Sequence, residues 1–125
     1  MFAHKILLID DDSAIIDLLS ALLQAYQGIT VVATTQAAEA IPLVKSEKPD
    51  LIVCDIDMDD QDGCVIAQKL KDNPATSSIP LIFLSSLISK ADYERSKGMV
   101  GGRKVLSKEL SSPKVVEAIL AELKG

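Results

Sequence analysis

The sequence predicts an α/β domain: an open parallel sheet with helices on both faces. Three observations carry this. Five short runs of Ile, Leu and Val recur along the chain, long enough for strands buried on both sides. The stretches between them space their apolar residues as amphipathic helices do. Such alternation implies repeated βαβ units, whose strands run parallel under their crossover helices.

The first strand is expected over Lys5-Ile6-Leu7-Leu8-Ile9, ending in Asp10-Asp11-Asp12. A helix follows, with Ile15, Leu18, Leu19, Leu22 and Leu23 on one stripe. Asp12 and Ser13 suit its N-terminus, and Gly28 is expected to end it. Ile29-Thr30-Val31-Val32-Ala33 is the second strand, rich in β-branched residues. Thr34 or Thr35 is expected to cap a second helix from Gln36 to about Lys48. Pro42 should kink that helix or end it early. The third strand is Leu51-Ile52-Val53-Cys54, running into Asp55.

An acidic loop from Asp57 closes at Asp62-Gly63, a turn signal. A third helix is expected from about Cys64 to Lys71, stopped by Asn73-Pro74. Ile79-Pro80-Leu81-Ile82-Phe83-Leu84 is the fourth strand, ending in Ser85-Ser86. A weak helix over roughly Lys90–Met99, stopped by Gly101 and Gly102, leads to a short fifth strand around Val105-Leu106. Ser112 with Pro113 should open the last helix, striped by Val115, Val116, Ile119, Leu120 and Leu123.

The 125 residues suffice for one domain, 1–125, with a real core. Aromatics make up only 3%, so that core must be aliphatic. Cys54 and Cys64 are too few for a disulfide framework or a zinc site. His4 reads as a surface residue. No apolar run is long enough to cross a membrane, and the start has no signal-peptide order; a cytoplasmic location is expected. The net charge of −5 divides into −9 over residues 1–62 and +4 over residues 63–125. No dense basic patch suggests nucleic acid. The asymmetry suggests an acidic pocket built from the first half.

At the carboxyl edge of a parallel sheet, where such folds bind ligands, the strand ends would gather Asp10, Asp11, Asp12, Asp55, Asp57, Ser85 and Lys108. Several close carboxylates repel one another. A hard divalent cation relieves this, and Mg²⁺ takes a few carboxylates together with phosphate oxygens. A lysine and a hydroxyl opposite them suit a phosphoryl group. The set therefore points to Mg²⁺-assisted phosphoryl transfer with an aspartate as acceptor.

On these residues the chain resembles the receiver domains of two-component response regulators, over essentially its whole length. The resemblance implies a flavodoxin-like sheet of order 2-1-3-4-5. It implies Asp55 as the acceptor of a phosphoryl group from a histidine kinase or a histidine phosphotransfer protein. By the same resemblance Asp10 and Asp11 form the acidic pair around Mg²⁺ (or Mn²⁺ in its place), and Asp57 offers its backbone carbonyl. The triplet also permits Asp11 and Asp12; the length of the apolar run favours the first pair. Ser85 matches the hydroxyl that moves onto the phosphoryl group, and Lys108 the lysine that neutralises it. Met58 and Asp62-Gly63 match the family's loop. Asp57 and Leu87 match positions bordering the path of attacking water. A phosphoacceptor of this type is not an enzyme in the ordinary sense, though it can phosphorylate itself from small donors and lose the group by itself. The implied partner beyond the phosphodonor is a downstream protein or a fused output domain, with neither nucleic acid nor membrane bound directly.

Three departures stand out. Asp59 replaces the family's proline in the acidic loop. Glu109 follows Lys108 where the family has proline after a cis bond; with a non-proline, trans is expected, with some shift of Lys108. Val105 stands where the family has an aromatic switch residue. The expected output surface is the last two helices and the fifth strand, with Lys90, Arg95, Lys97, Arg103 and Lys104.

Three other readings fit parts of the sequence. Asp55-Ile56-Asp57 resembles the nucleophile motif of haloacid-dehalogenase-type phosphatases, but there the acidic pair follows the lysine. Asp55, Asp57 and Asp59 share the spacing of an EF-hand loop, but Asp60 and Ile66 stand where that loop needs glycine and glutamate. The departures also suit a receiver-like scaffold that binds a partner without phosphorylation.

Overall fold

The computed structural model describes residues 3–58, 61–100 and 102–124. Element order is β1 (His4–Ile9), α1 (Ser13–Gln24), β2 (Ile29–Thr34), α2 (Ala40–Glu47), β3 (Leu51–Asp55), α3 (Gly63–Asp72), β4 (Leu81–Ser85), α4 (Lys90–Ser96), β5 (Met99–Val100), β6 (Arg103–Ser107) and α5 (Ser112–Lys124). The strand order is β2-β1-β3-β4-β6-β5. All neighbours are parallel except the β5–β6 hairpin. The expected fifth strand is therefore β6, in its expected place, and β5 is an antiparallel addition at its outer edge.

Strand residues alternate between two cores, which is why the strands read as unbroken apolar runs. Ile6, Leu8, Leu51, Val53, Ile82, Leu84 and Leu106 face the side covered by α1 and α5. Leu7, Ile9, Ile52, Cys54, Phe83 and Val105 face the other side, with Ala40 and Val44 from α2 and Ile66 and Leu70 from α3. Ile119 of α5 and Leu23 of α1 are completely buried. No described helix is long and apolar enough to span a membrane.

Five local expectations need correction. Gly28 does not end α1, which stops at Gln24; the glycine sits at φ 86° in the turn to β2, and its carbonyl accepts the His4 N–H at 2.8 Å. Neither threonine caps α2 by its side chain. Thr34 Oγ1 instead accepts from the Gln36 N–H and donates to Glu39. Pro42 kinks nothing: a single 3₁₀ turn over Ala37–Glu39 delays the helix, leaving the proline in its first turn. A missing N–H costs no helical hydrogen bond there. The weak fourth helix is shorter than expected, because Lys97 and Gly98 take positive φ and turn Met99–Val100 into β5. Gly101, expected to stop that helix, lies outside the described residues. Ser111 rather than Ser112 caps α5, receiving the Lys114 N–H at its hydroxyl.

Candidate functional site

The register of the sheet assembles the site. Ile9 pairs with Cys54, so Asp10 and Asp55 leave adjacent strands side by side. Both are buried, at 3% and 2% exposure, whereas Asp11 is exposed. One oxygen from each of Asp10, Asp11 and Asp55 lies within 4.8 Å of the other two. Asp12 is committed elsewhere: it caps α1 through the Ala14 N–H, and its own N–H donates to Asp10 Oδ1 at 2.9 Å. The acidic cluster thus contains Asp10 and Asp11, not Asp12.

Lys108 reaches in from the loop after β6. Its Nζ lies 2.9 Å from Asp10 Oδ2 and 3.5 Å from Asp55 Oδ2. Those two oxygens are buried and accept no well-formed hydrogen bond among the described residues. The lysine's backbone N–H donates to the Ser85 carbonyl at 2.9 Å. The preceding Ser107 hydroxyl donates to the Ile88 carbonyl and accepts the Glu109 N–H. No described peptide bond is cis, so Lys108–Glu109 is trans, and the lysine reaches both carboxylates.

Ser85 is completely buried at the end of β4, beside Ser107, and its Oγ accepts the Leu87 N–H at 3.0 Å. Asp57 is exposed, with its N–H on Asp55 Oδ1 at 3.3 Å. Leu87 is 70% exposed. Met58 is buried in the core under α2 and α3. Asp59 and Asp60 lie outside the described residues.

Gly63, marked in the sequence as a turn and as part of the family's loop, borders the acidic cluster directly. Its N–H donates to the Ile56 carbonyl at 2.8 Å, and Asp57 bridges Asp62 across the loop. A Cβ on Gly63 would lie 2.1 Å from the Asp55 carbonyl oxygen, far inside contact distance. Only glycine lets α3 start this close to the end of β3. The signal was present in Asp62-Gly63, but nothing in the sequence revealed what the glycine faces.

The electrostatics follow from burial. Desolvation, then repulsion by Asp10, raises the Asp55 carboxyl from 3.8 to about 6 despite Lys108 and the Asp57 N–H. Burial alone would lower Lys108, but Asp10 and Asp55 outweigh it and hold the ammonium above its ordinary value. Burial, with Asp55 and Asp10 beside it, pushes the Cys54 thiol to about 12, so it stays protonated and unreactive. Three carboxylates gathered within 4.8 Å, with one ammonium as the counter-charge beside their two buried oxygens, form a donor set suited to a hard divalent cation.

The basic residues expected on an output face are partly engaged. Arg95 pairs with Asp92, Lys104 pairs with Glu122 at 2.7 Å, and Arg103 stands 5.7 Å above the Phe83 ring. The Lys90 N–H donates to Glu109.

Comparison with known proteins agrees with this arrangement. The family profile described as "Response regulator receiver domain" matches residues 6–120. The polar-differentiation response regulators DivK of Brucella anthropi and Brucella ovis are each 29% identical over 119 residues, covering 95% of both chains. The receiver domain of Francisella response regulator 1452 superposes with TM-score 0.77 at 25% identity over 97% of each chain. A CheY-like receiver domain protein of Methanospirillum hungatei shares the fold, with TM-score 0.78 at 22% identity over 98% of this chain and 94% of its own.

Proposed function

The chain belongs to the response regulator receiver family, and on that premise we propose that residues 1–125 act as one phosphorylation switch with Asp55 as the phosphoacceptor. The observation that carries the proposal is the meeting of buried Asp10 and Asp55 with half-buried Lys108 at adjoining strand ends. An Asp55 carboxylate oxygen attacks the phosphorus of a phosphohistidine on a kinase or phosphotransfer protein. The O–P bond forms as the N–P bond breaks, and the imidazole leaves with its electron pair, to be protonated. Lys108 sits beside Asp55 to balance the added charge.

Mg²⁺ (or Mn²⁺) would be held by Asp10, Asp11, Asp55 and the Asp57 carbonyl, and when bound it offsets charge on the transferring phosphoryl oxygens. Ser85 supplies the switch. Its hydroxyl now accepts from Leu87, and in the phosphorylated form it turns to donate to a phosphoryl oxygen, moving the loop after β4. Val105, buried beside Phe83, has no ring to relay that movement, so the shift passes through the backbone after β4 and β6. Exposed Asp57 and Leu87 border the approach of hydrolytic water and set the lifetime of the acyl phosphate. The outcome is read by a downstream protein or a fused output domain.

The test is intact mass after incubation with acetyl phosphate and Mg²⁺. One added phosphoryl group, absent in EDTA, is expected. Free phosphate without a lasting adduct would mean rapid self-dephosphorylation. Neither adduct nor phosphate, with Mg²⁺ bound, would replace this reading with the phosphorylation-independent scaffold.

Metal affinity should depend on pH in a defined direction. The cation must displace the proton that Asp55 binds with a pKa of about 6. Apparent Mg²⁺ affinity is therefore expected to be level above about pH 7. Below pH 6 it should fall roughly tenfold per unit, the limit for one displaced proton. Calorimetric titrations between pH 5 and 8 would check this; affinity unchanged across that range would contradict it.

A further inference from the structure

The β5–β6 hairpin leaves an open groove of about 340 Å³ on the α3 side of the sheet. Its floor is apolar: Leu70, Ile79, Leu81 and Phe83. Met99, 42% exposed, forms part of its rim. The groove stays open because α4 is only seven residues long, buries none of them, and contributes no lining residue. Tyr93 of α4 packs instead against the core that includes Leu106 and Leu110.

Charge in the groove is of one sign. Lys71, Arg103 and Lys104 line it, and no described acid does. Lys104 is paired with Glu122 at its outer end. Arg103 spreads over the Phe83 ring, which fixes a guanidinium directly above the apolar floor. The whole lining comes from residues 63–125, the half that carries +4 in a chain of net charge −5. Its volume lies at the lower end of ligand-site sizes, enough for one bulky side chain and a neighbouring carboxylate.

From this juxtaposition of an apolar floor with Lys71 and Arg103 we infer that the groove docks an acidic segment of a partner protein, with an aromatic or branched aliphatic residue beside a carboxylate. The apolar side chain packs against the half-buried Ile79 and Leu81. The carboxylate takes the free donors of Arg103 in a forked pair, with Lys71 adding charge. This surface lies apart from the phosphoacceptor, on the α3 side of the sheet; it shares only Arg103 and Lys104 with the expected output face, and its use does not depend on phosphorylation.

Selection from a displayed peptide library against the whole chain tests the inference. Peptides with Asp or Glu within three residues of Phe, Leu or Ile should be enriched. Their affinity should drop tenfold or more in Lys71→Glu and in Arg103→Glu, and should persist in Asp55→Asn. Lys71→Glu serves as the second variant because Lys71 is exposed at the end of α3, whereas Arg103 also stacks on a core ring. Circular dichroism establishes that each variant folds. Enrichment of peptides without acids, no enrichment at all, or equal binding by folded Lys71→Glu would overturn the docking site.

Discussion

Asp55→Asn is expected to accept no phosphoryl group and, in EDTA at pH 8, to be more stable than the parent by about 2–3 kcal/mol. Both effects have one cause. Asp55 is buried beside Asp10, so its ionised form is disfavoured in the folded chain and its pKa rises from 3.8 to about 6. A shift of roughly two units corresponds to about 3 kcal/mol at pH values above both. Asparagine keeps the acceptor for the Asp57 N–H but removes the charge, and Lys108 retains Asp10. The sign with pH is fixed. Protonated Asp55 favours the folded state; that contribution is complete below about pH 3.8 and lost as pH rises past about 6. The stability gap between variant and parent should therefore be full at pH 8 and nearly closed by pH 4. Saturating Mg²⁺ should narrow it at pH 8, because the metal stabilises the parent more. Urea unfolding at the two pH values, with and without Mg²⁺, measures all of this. A variant less stable than the parent at pH 8 in EDTA would refute the account.

Gly63→Ala should be the most damaging small substitution near the site. The added methyl would meet the Asp55 carbonyl oxygen at 2.1 Å and the adjacent carbonyl carbon at 3.0 Å, both backbone atoms that no rotamer change can move. Either α3 shifts away from β3 or the end of β3 bends. A loss of about 3 kcal/mol or more is expected, at or beyond the upper range for overpacked cores. Displacement of the Asp55 backbone should also slow phosphorylation by acetyl phosphate at least tenfold in whatever fraction remains folded. Denaturant midpoints and adduct formation read the two effects separately. A variant with parental stability would show that the close approach of α3 to β3 is not needed.

Much of the architecture was legible because buried parallel strands leave so plain a mark. Ile6–Ile9 and Leu51–Cys54 must be apolar at every position, since alternate residues face two different cores. The carboxylates at the ends of those runs were conspicuous because charge interrupts an otherwise unbroken apolar stretch. Which aspartates of the triplet enter the cluster was less clear. The choice depends on strand register and on the demand of α1 for a cap, which Asp12 meets.

Some of what could not be read is local, and the rest depends on contacts between segments far apart in the chain. Whether Gly28, Pro42, Thr34 and Ser112 begin or end helices depended on a turn or cap a few residues away. The β5–β6 hairpin arises from positive φ at Lys97 and Gly98, where a helical pattern alone suggested continuation. By itself the sequence determined the alternation of strands and helices, the two-sided core and the acidic and basic residues at the strand ends, because these follow from period and polarity along a single segment. The tertiary structure decided that Lys108 bridges Asp10 and Asp55, that Gly63 must be glycine, that burial beside Asp10 raises the Asp55 carboxyl and that a basic groove opens beside Phe83. Each of these depends on distances between segments that only the packed sheet brings together.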